Sequence, residues 1–126
     1  MDLRFSADEE IMNERRHDDR LLCAELVQVS WTDESERKQR RVANLEDISA
    51  SGICIQMERP LPIGTEIAVQ CGEGQLVGIV RYCFIRQLGY FLGIEFNEGC
   101  VWSTLRFTPE HLVDPRDVLA YTSKAS

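Results

Sequence analysis

The sequence predicts an all-β protein, a small six-stranded antiparallel β-barrel, and three observations predict it. Six short runs rich in apolar and β-branched residues follow one another between positions 21 and 96. Breaker clusters such as Pro60-Leu61-Pro62-Ile63-Gly64 and Cys71-Gly72-Glu73-Gly74 separate them at hairpin spacing. Gly78 and Gly93 fall inside two of the runs, where a barrel needs a bend or a close backbone approach. Closure removes the exposed edges that so many short strands would otherwise present.

The elements follow in order. Residues 1–14 set Asp2, Asp8, Glu9, Glu10 and Glu14 against Arg4, with little apolar content, and read as an acidic flexible arm with at most a helical turn over residues 6–12. A barrel domain over residues 15–107 follows, with an arginine-rich loop in front. Its first strand is expected over 21–31, a polar hairpin loop over 32–39, and a second, roughly alternating strand over 41–48. Small residues break the pattern at Ser49-Ala50-Ser51-Gly52. Strands are then expected over 53–57, 66–70, 76–86 and 90–96, with Val77, Ile79 and Val80 in the core. Residues 108–126 form a short helix and tail. Thr108 caps the helix, Pro109 occupies its first turn, Asp114-Pro115 stops it, and His111 faces solvent on it.

Composition removes several classes of function. At 126 residues the chain is of single-domain length, with room for one core. No apolar run approaches the roughly 20 residues of a membrane-spanning helix. The start, Met1-Asp2-Leu3-Arg4-Phe5, resembles no signal peptide, so a cytoplasmic protein with no membrane partner is expected. The five cysteines, Cys23, Cys54, Cys71, Cys83 and Cys100, are odd in number and include no Cys-x-x-Cys pair. That argues against a disulfide framework and against a zinc knuckle, and Cys23, Cys54 and Cys83 read as small buried hydrophobes. A net charge of -7 argues against a broad surface for a nucleic acid polymer, which requires clustered cations. A local anion site is not excluded. Catalysis finds little support: His17 and His111 are the only histidines, and neither lies in a nucleophile context. No metal-ligand spacing, phosphate loop or dinucleotide fingerprint is present. No enzyme, metal or cofactor is expected.

Two stretches carry chemistry. Three arginines, Arg15, Arg16 and Arg20, crowd into six positions of Glu14-Arg15-Arg16-His17-Asp18-Asp19-Arg20. Arginine presents a planar fork of donors that fits phosphate and the edge of guanine. Read alone, these arginines could equally be solvated or paired with Asp18 and Asp19. The second stretch is Asp47-Ile48-Ser49-Ala50-Ser51-Gly52. Asp47 offers an acceptor for the donors of a guanine edge, Ser49 a hydroxyl for a phosphate or for its own turn, and Gly52 room for a ligand or a bulge. An ordinary strand-to-strand turn uses the same residues.

Taken together, Arg-Arg-x-x-x-Arg at Arg15, Arg16 and Arg20 and Asp-x-Ser-x-x-Gly from Asp47 to Gly52 resemble the PilZ domain family. Order and separation match, and Gly78-Ile79-Val80-Arg81-Tyr82 and Tyr90-Phe91-Leu92-Gly93-Ile94-Glu95-Phe96 are similar to the family's last strands. The resemblance spans residues 14–96. It implies a bacterial receptor for cyclic di-GMP built on a six-stranded barrel, with the arginine motif on the preceding loop. Carried over, Arg16 and Arg20 bind the guanine Hoogsteen edge and the phosphates. Asp47 accepts from the other guanine edge, Ser49 bonds near the phosphate, and Gly52 keeps the barrel surface open. Arg15 implies two ligand molecules per chain, and Arg81 is either a further contact or a plain exposed strand residue. Ligand would order the arm against the barrel and create a surface for an unidentified downstream protein.

Two other readings compete. A PilZ-like adaptor that binds protein but no nucleotide should show damaged motifs, and these are intact. An oligonucleotide-binding barrel should show basic strands with exposed aromatics, whereas this chain is acidic and its aromatics fall mostly in core-like runs.

Overall fold

The structure, a computed structural model, describes residues 19–117. The arm, with Arg15, Arg16, His17 and Asp18, lies outside the described residues, as does the tail from residue 118. Six strands form: β1 (Leu21–Thr32), β2 (Lys38–Ile48), β3 (Gly52–Met57), β4 (Glu66–Cys71), β5 (Gly74–Arg86) and β6 (Gly89–Phe96). All pairings are antiparallel and close into a barrel in the order β1-β2-β3-β6-β5-β4, with β4 returning to β1.

The interior follows strand alternation. Val27, Val29 and Trp31 of β1, Ile53 and Ile55 of β3, Ile67 and Val69 of β4, and Leu92 and Ile94 of β6 point inward and are buried. Fully burying such side chains contributes about 1.5–3 kcal/mol each before conformational entropy is charged against them. The loop between β1 and β2 is shorter than expected, because Asp33 organises it. Its carboxylate accepts from the Ser35 and Arg37 amides, each at 2.9 Å, and from Gln39 Nε2 at 2.8 Å. These bonds hold its pKa below the usual carboxylate range and allow β2 to start at Lys38.

Several expectations are corrected. On β5, Leu76, Gly78 and Val80 point inward, so Val77 and Ile79 fall on the outer face, half-buried. A run of consecutive apolar residues hides its parity. Cys83 is half-buried, whereas Cys71, at the end of β4, is fully buried. No helix runs from Thr108 to Asp114. Residues 97–113 instead lie across one end of the barrel, where Trp102 is buried and Phe107 and Leu112 pack against the core. Val113 exchanges two backbone hydrogen bonds of 2.7 Å with Leu22, which is incompatible with a helix there. His111 is exposed in a turn at φ 59°. The helical turn begins at Pro115, with Asp114 as its cap: Asp114 Oδ1 accepts from the Arg116 amide at 2.9 Å. The proline taken for a stop is thus a start.

Candidate ligand-binding site

The ladder is irregular in three places. The β1–β2 register shifts between Leu22 and Glu25, the β2–β3 register between Leu45 and Asp47, and the β5–β6 register between Val80 and Tyr82. The last two each insert one extra residue, Glu46 and Arg81. A bulge re-aims side chains. Leu45 and Ile48 both point inward, so the residues between them, Glu46 and Asp47, leave the core together. Val80 and Cys83 likewise bracket Arg81 and Tyr82, which both face outward.

The outer face of four strands thereby gains a cross-barrel row. Asp47 on β2 pairs with Cys54 on β3, Cys54 with Gly93 on β6, and Gly93 with Tyr82 on β5. The Tyr82 ring lies over Gly93, and a Cβ there would collide with the ring. At Gly52 a Cβ would collide with the Ile94 carbonyl oxygen, so β3 and β6 approach this closely only because the residue is glycine. Cys54 is buried beneath this row rather than inside the barrel. Burial, with Asp47 nearby, pushes its thiol up to about 11, while its hydrogen bond with the Tyr82 hydroxyl works the other way.

Arg20, the last residue before β1, closes the row from above. Its Nη1 donates to Asp47 Oδ1 at 2.8 Å, across 27 residues of sequence, with Arg20 48% and Asp47 22% exposed. The depression beside it has a volume of about 230 Å³ and is lined by Arg20, Ser51, Gly52, Arg81, Tyr82 and Glu95 together with the Gly93–Ile94 backbone. Complete small-molecule pockets run to about 300–1,000 Å³. This one has the size of a half-site. A roomier groove of about 610 Å³ along β1 and β4 carries Asp33, Glu34 and Glu66 against Lys38, and so disfavours an anion.

Of the sequence-derived residues, Arg20, Gly52 and Arg81 line this depression, and Asp47 is joined to it through its ion pair with Arg20. Arg15 and Arg16 lie outside the described residues. Ser49 is brought to the same junction but faces inward, at 1% exposure. Its Oγ accepts from the Gly52 amide at 3.2 Å and from the Ser51 amide at 3.3 Å, and its own amide donates to the Gly52 carbonyl at 2.9 Å. It shapes the turn rather than lining the depression. The Trp102 amide donates to the Ala50 carbonyl at 3.2 Å, tying the same junction to the chain end of the barrel.

Asp19 Oδ2 faces Arg116 Nη2 at 2.9 Å. Tyr82 and Glu95 were not singled out in the sequence. The signal for Tyr82 was available, since the inward residues Val80 and Cys83 stand three apart where alternation demands two. Glu95 leaves no such trace. Among the described residues, no group of His, Cys, Asp and Glu could hold a metal ion, and no helix is long and apolar enough to cross a membrane. Comparison with family models, curated proteins and solved structures returns no match.

Proposed function

We propose that this chain is a receptor of the PilZ type that binds cyclic di-GMP at the Arg20–Asp47 junction and passes the signal to a downstream protein. The carrying observation is that Arg20 and Asp47, the ends of two motifs separated in sequence, meet at 2.8 Å beside a depression lined by Arg20, Gly52 and Gly93. A forked guanidinium suits the O6/N7 edge of guanine or a phosphate, and a carboxylate suits the imino and amino donors on the opposite guanine edge. Arg16 and Arg15 would complete the half-site from the arm, with Arg15 allowing a second ligand molecule. The ligand would bridge arm and barrel, and the joined surface is what the partner would read. The reading includes no catalytic step and a cytoplasmic setting.

Titration calorimetry with cyclic di-GMP tests it. Wild type should bind, and Arg16→Ala should bind about 10- to 150-fold more weakly, as expected for one charged hydrogen bond of about 1.5–3 kcal/mol. Unchanged binding in the variant would sink the assignment. One observation favours the adaptor alternative: Tyr82, Phe84 and Phe91 stack on the outer face, with Arg86 over the last two rings at 5.0 and 5.7 Å. Exposed aromatic and arginine side chains are common anchors of protein interfaces. A folded wild type that binds no cyclic di-GMP would favour that alternative.

A further inference from the structure

Both arginines that line the depression already hold a carboxylate. Arg20 donates to Asp47, and Arg81 Nε donates to Glu95 Oε1 at 2.6 Å. The two pairs differ in kind. Asp47 belongs to the motif and is mostly covered, whereas Arg81 and Glu95 are 56% and 57% exposed and stand on the rim. The bulge explains their meeting. Arg81 is the inserted residue of β5, and Glu95 on β6 lies opposite Ile79, so the extra residue carries the guanidinium across the seam to the carboxylate.

We infer that Glu95 is a built-in competitor for the ligand: it holds Arg81 through Nε in the free protein and competes with an incoming phosphate for that guanidinium. This rests on the reading of the depression as an anion site. The chemistry is an exchange of one oxyanion for another on the same guanidinium. Exposed ion pairs contribute up to about 1 kcal/mol, so the competition lowers ligand affinity by up to about five-fold. Glu95 thus sets the affinity of the site without forming part of the bound complex. A carboxylate that instead accepted from a guanine edge would act in the opposite direction.

The test uses wild type, Glu95→Gln, Arg81→Gln and the double variant, each titrated calorimetrically with cyclic di-GMP. Glu95→Gln should bind more tightly, by up to about five-fold, and Arg81→Gln more weakly, and the Glu95 gain should vanish in the Arg81→Gln background. Unchanged or weakened binding by Glu95→Gln overturns the inference. So does a gain that persists in full without Arg81, since Glu95 would then be only a repulsive charge. A parallel titration with inorganic pyrophosphate, read at the Arg81 Nε–H resonance, needs no guanine recognition. The Glu95→Gln midpoint should fall by a similar factor there, and a resonance that pyrophosphate moves in no variant also overturns the inference. Wild type that binds pyrophosphate but no cyclic di-GMP brings down the functional reading alone.

Discussion

The two halves of the barrel obey different rules. Around β4, the ladders to β1 and to β5 run without a register shift, and Ile67, Val69 and Cys71 alternate inward without exception. On the other side, Glu46 and Arg81 are inserted into their strands, and Gly52 and Gly93 replace side chains on the outer face. The regular half uses its residues to fill the core. The irregular half uses the same core plus extra residues to build an outer surface, and a depression lined by Arg20 and Arg81 lies there. Irregularity concentrated at one seam is what a functional surface on a regular scaffold produces.

Deleting single residues should break this contrast most violently. Removing Ala68 from β4 shifts parity, turns Val69 and Cys71 outward and drives Gln70 into the core. Total stability of a domain is only about 5–15 kcal/mol, so this variant should lose its cooperative unfolding transition. Removing Arg81 takes away an inserted residue and leaves Val80 and Cys83 still facing inward. That variant should keep a cooperative transition, losing on the order of 1 kcal/mol, and on the proposed function it should bind cyclic di-GMP more weakly. Circular dichroism melts of the two deletions decide the matter, and equal damage would show that Arg81 is not a dispensable insertion.

Arg20→Ala sharpens the same contrast at smaller cost. Arg20 is half exposed and joins no core contact, so stability should change by no more than about 1 kcal/mol. On the proposed function, affinity for cyclic di-GMP should nonetheless fall about 10- to 150-fold. An Ile67→Ala variant in the regular half should do the reverse: about 2–5 kcal/mol lost in a urea titration, with affinity kept by the folded fraction.

How much of this was legible in the sequence depends on parity. The six strands, their turns and the barrel were readable because alternation and breakers are local signals, as in Ile53-Cys54-Ile55 followed by Pro60 and Pro62. The inward set on β5 was not, because Leu76, Val77, Ile79 and Val80 are all apolar and parity cannot be read from an unbroken run. The chain end was misread for a related reason. Pro109 and Pro115 both suit a helix start, and only the pairing of Val113 with Leu22, about 90 residues away in sequence, decides between them. Of the candidate site, the motifs named Arg20 and Asp47, which the fold brings together. Ser49 was not placed by them, because a hydroxyl in a tight junction bonds its own turn as readily as it bonds a ligand.

Alkaline pH probes the regular half and the seam together, with a smaller effect. Burial pushes Cys23 and Cys71 up to about 12 and Cys54 up to about 11, from an ordinary value of 9.0. A raised thiol pKa means the folded chain holds its proton longer than the unfolded one. The associated stability is complete below about pH 9 and is lost as pH rises toward 11–12. Urea midpoints should therefore decline over that window, and Cys71→Ala should make the decline shallower.

The smallest expected effect compares Cys54 with Cys71. Both are buried, at 6% and 3% exposure, but their covers differ. Cys71 faces into the core, shielded by neighbouring strands, and only unfolding exposes it. Cys54 faces outward beneath Tyr82, a side chain that lies across Gly93 and stacks on Phe84 with ring centroids 5.7 Å apart. Tyr82→Ala removes that cover without touching the interior. Iodoacetamide labelling at pH 8, located by mass spectrometry, should then find Cys54 reactive in the variant and protected in wild type. Cys71 should be protected in both, because its shield is the barrel itself. Equal protection of Cys54 in both proteins would mean that the seam is sealed by backbone, and that the row from Asp47 to Tyr82 is no softer than the regular half.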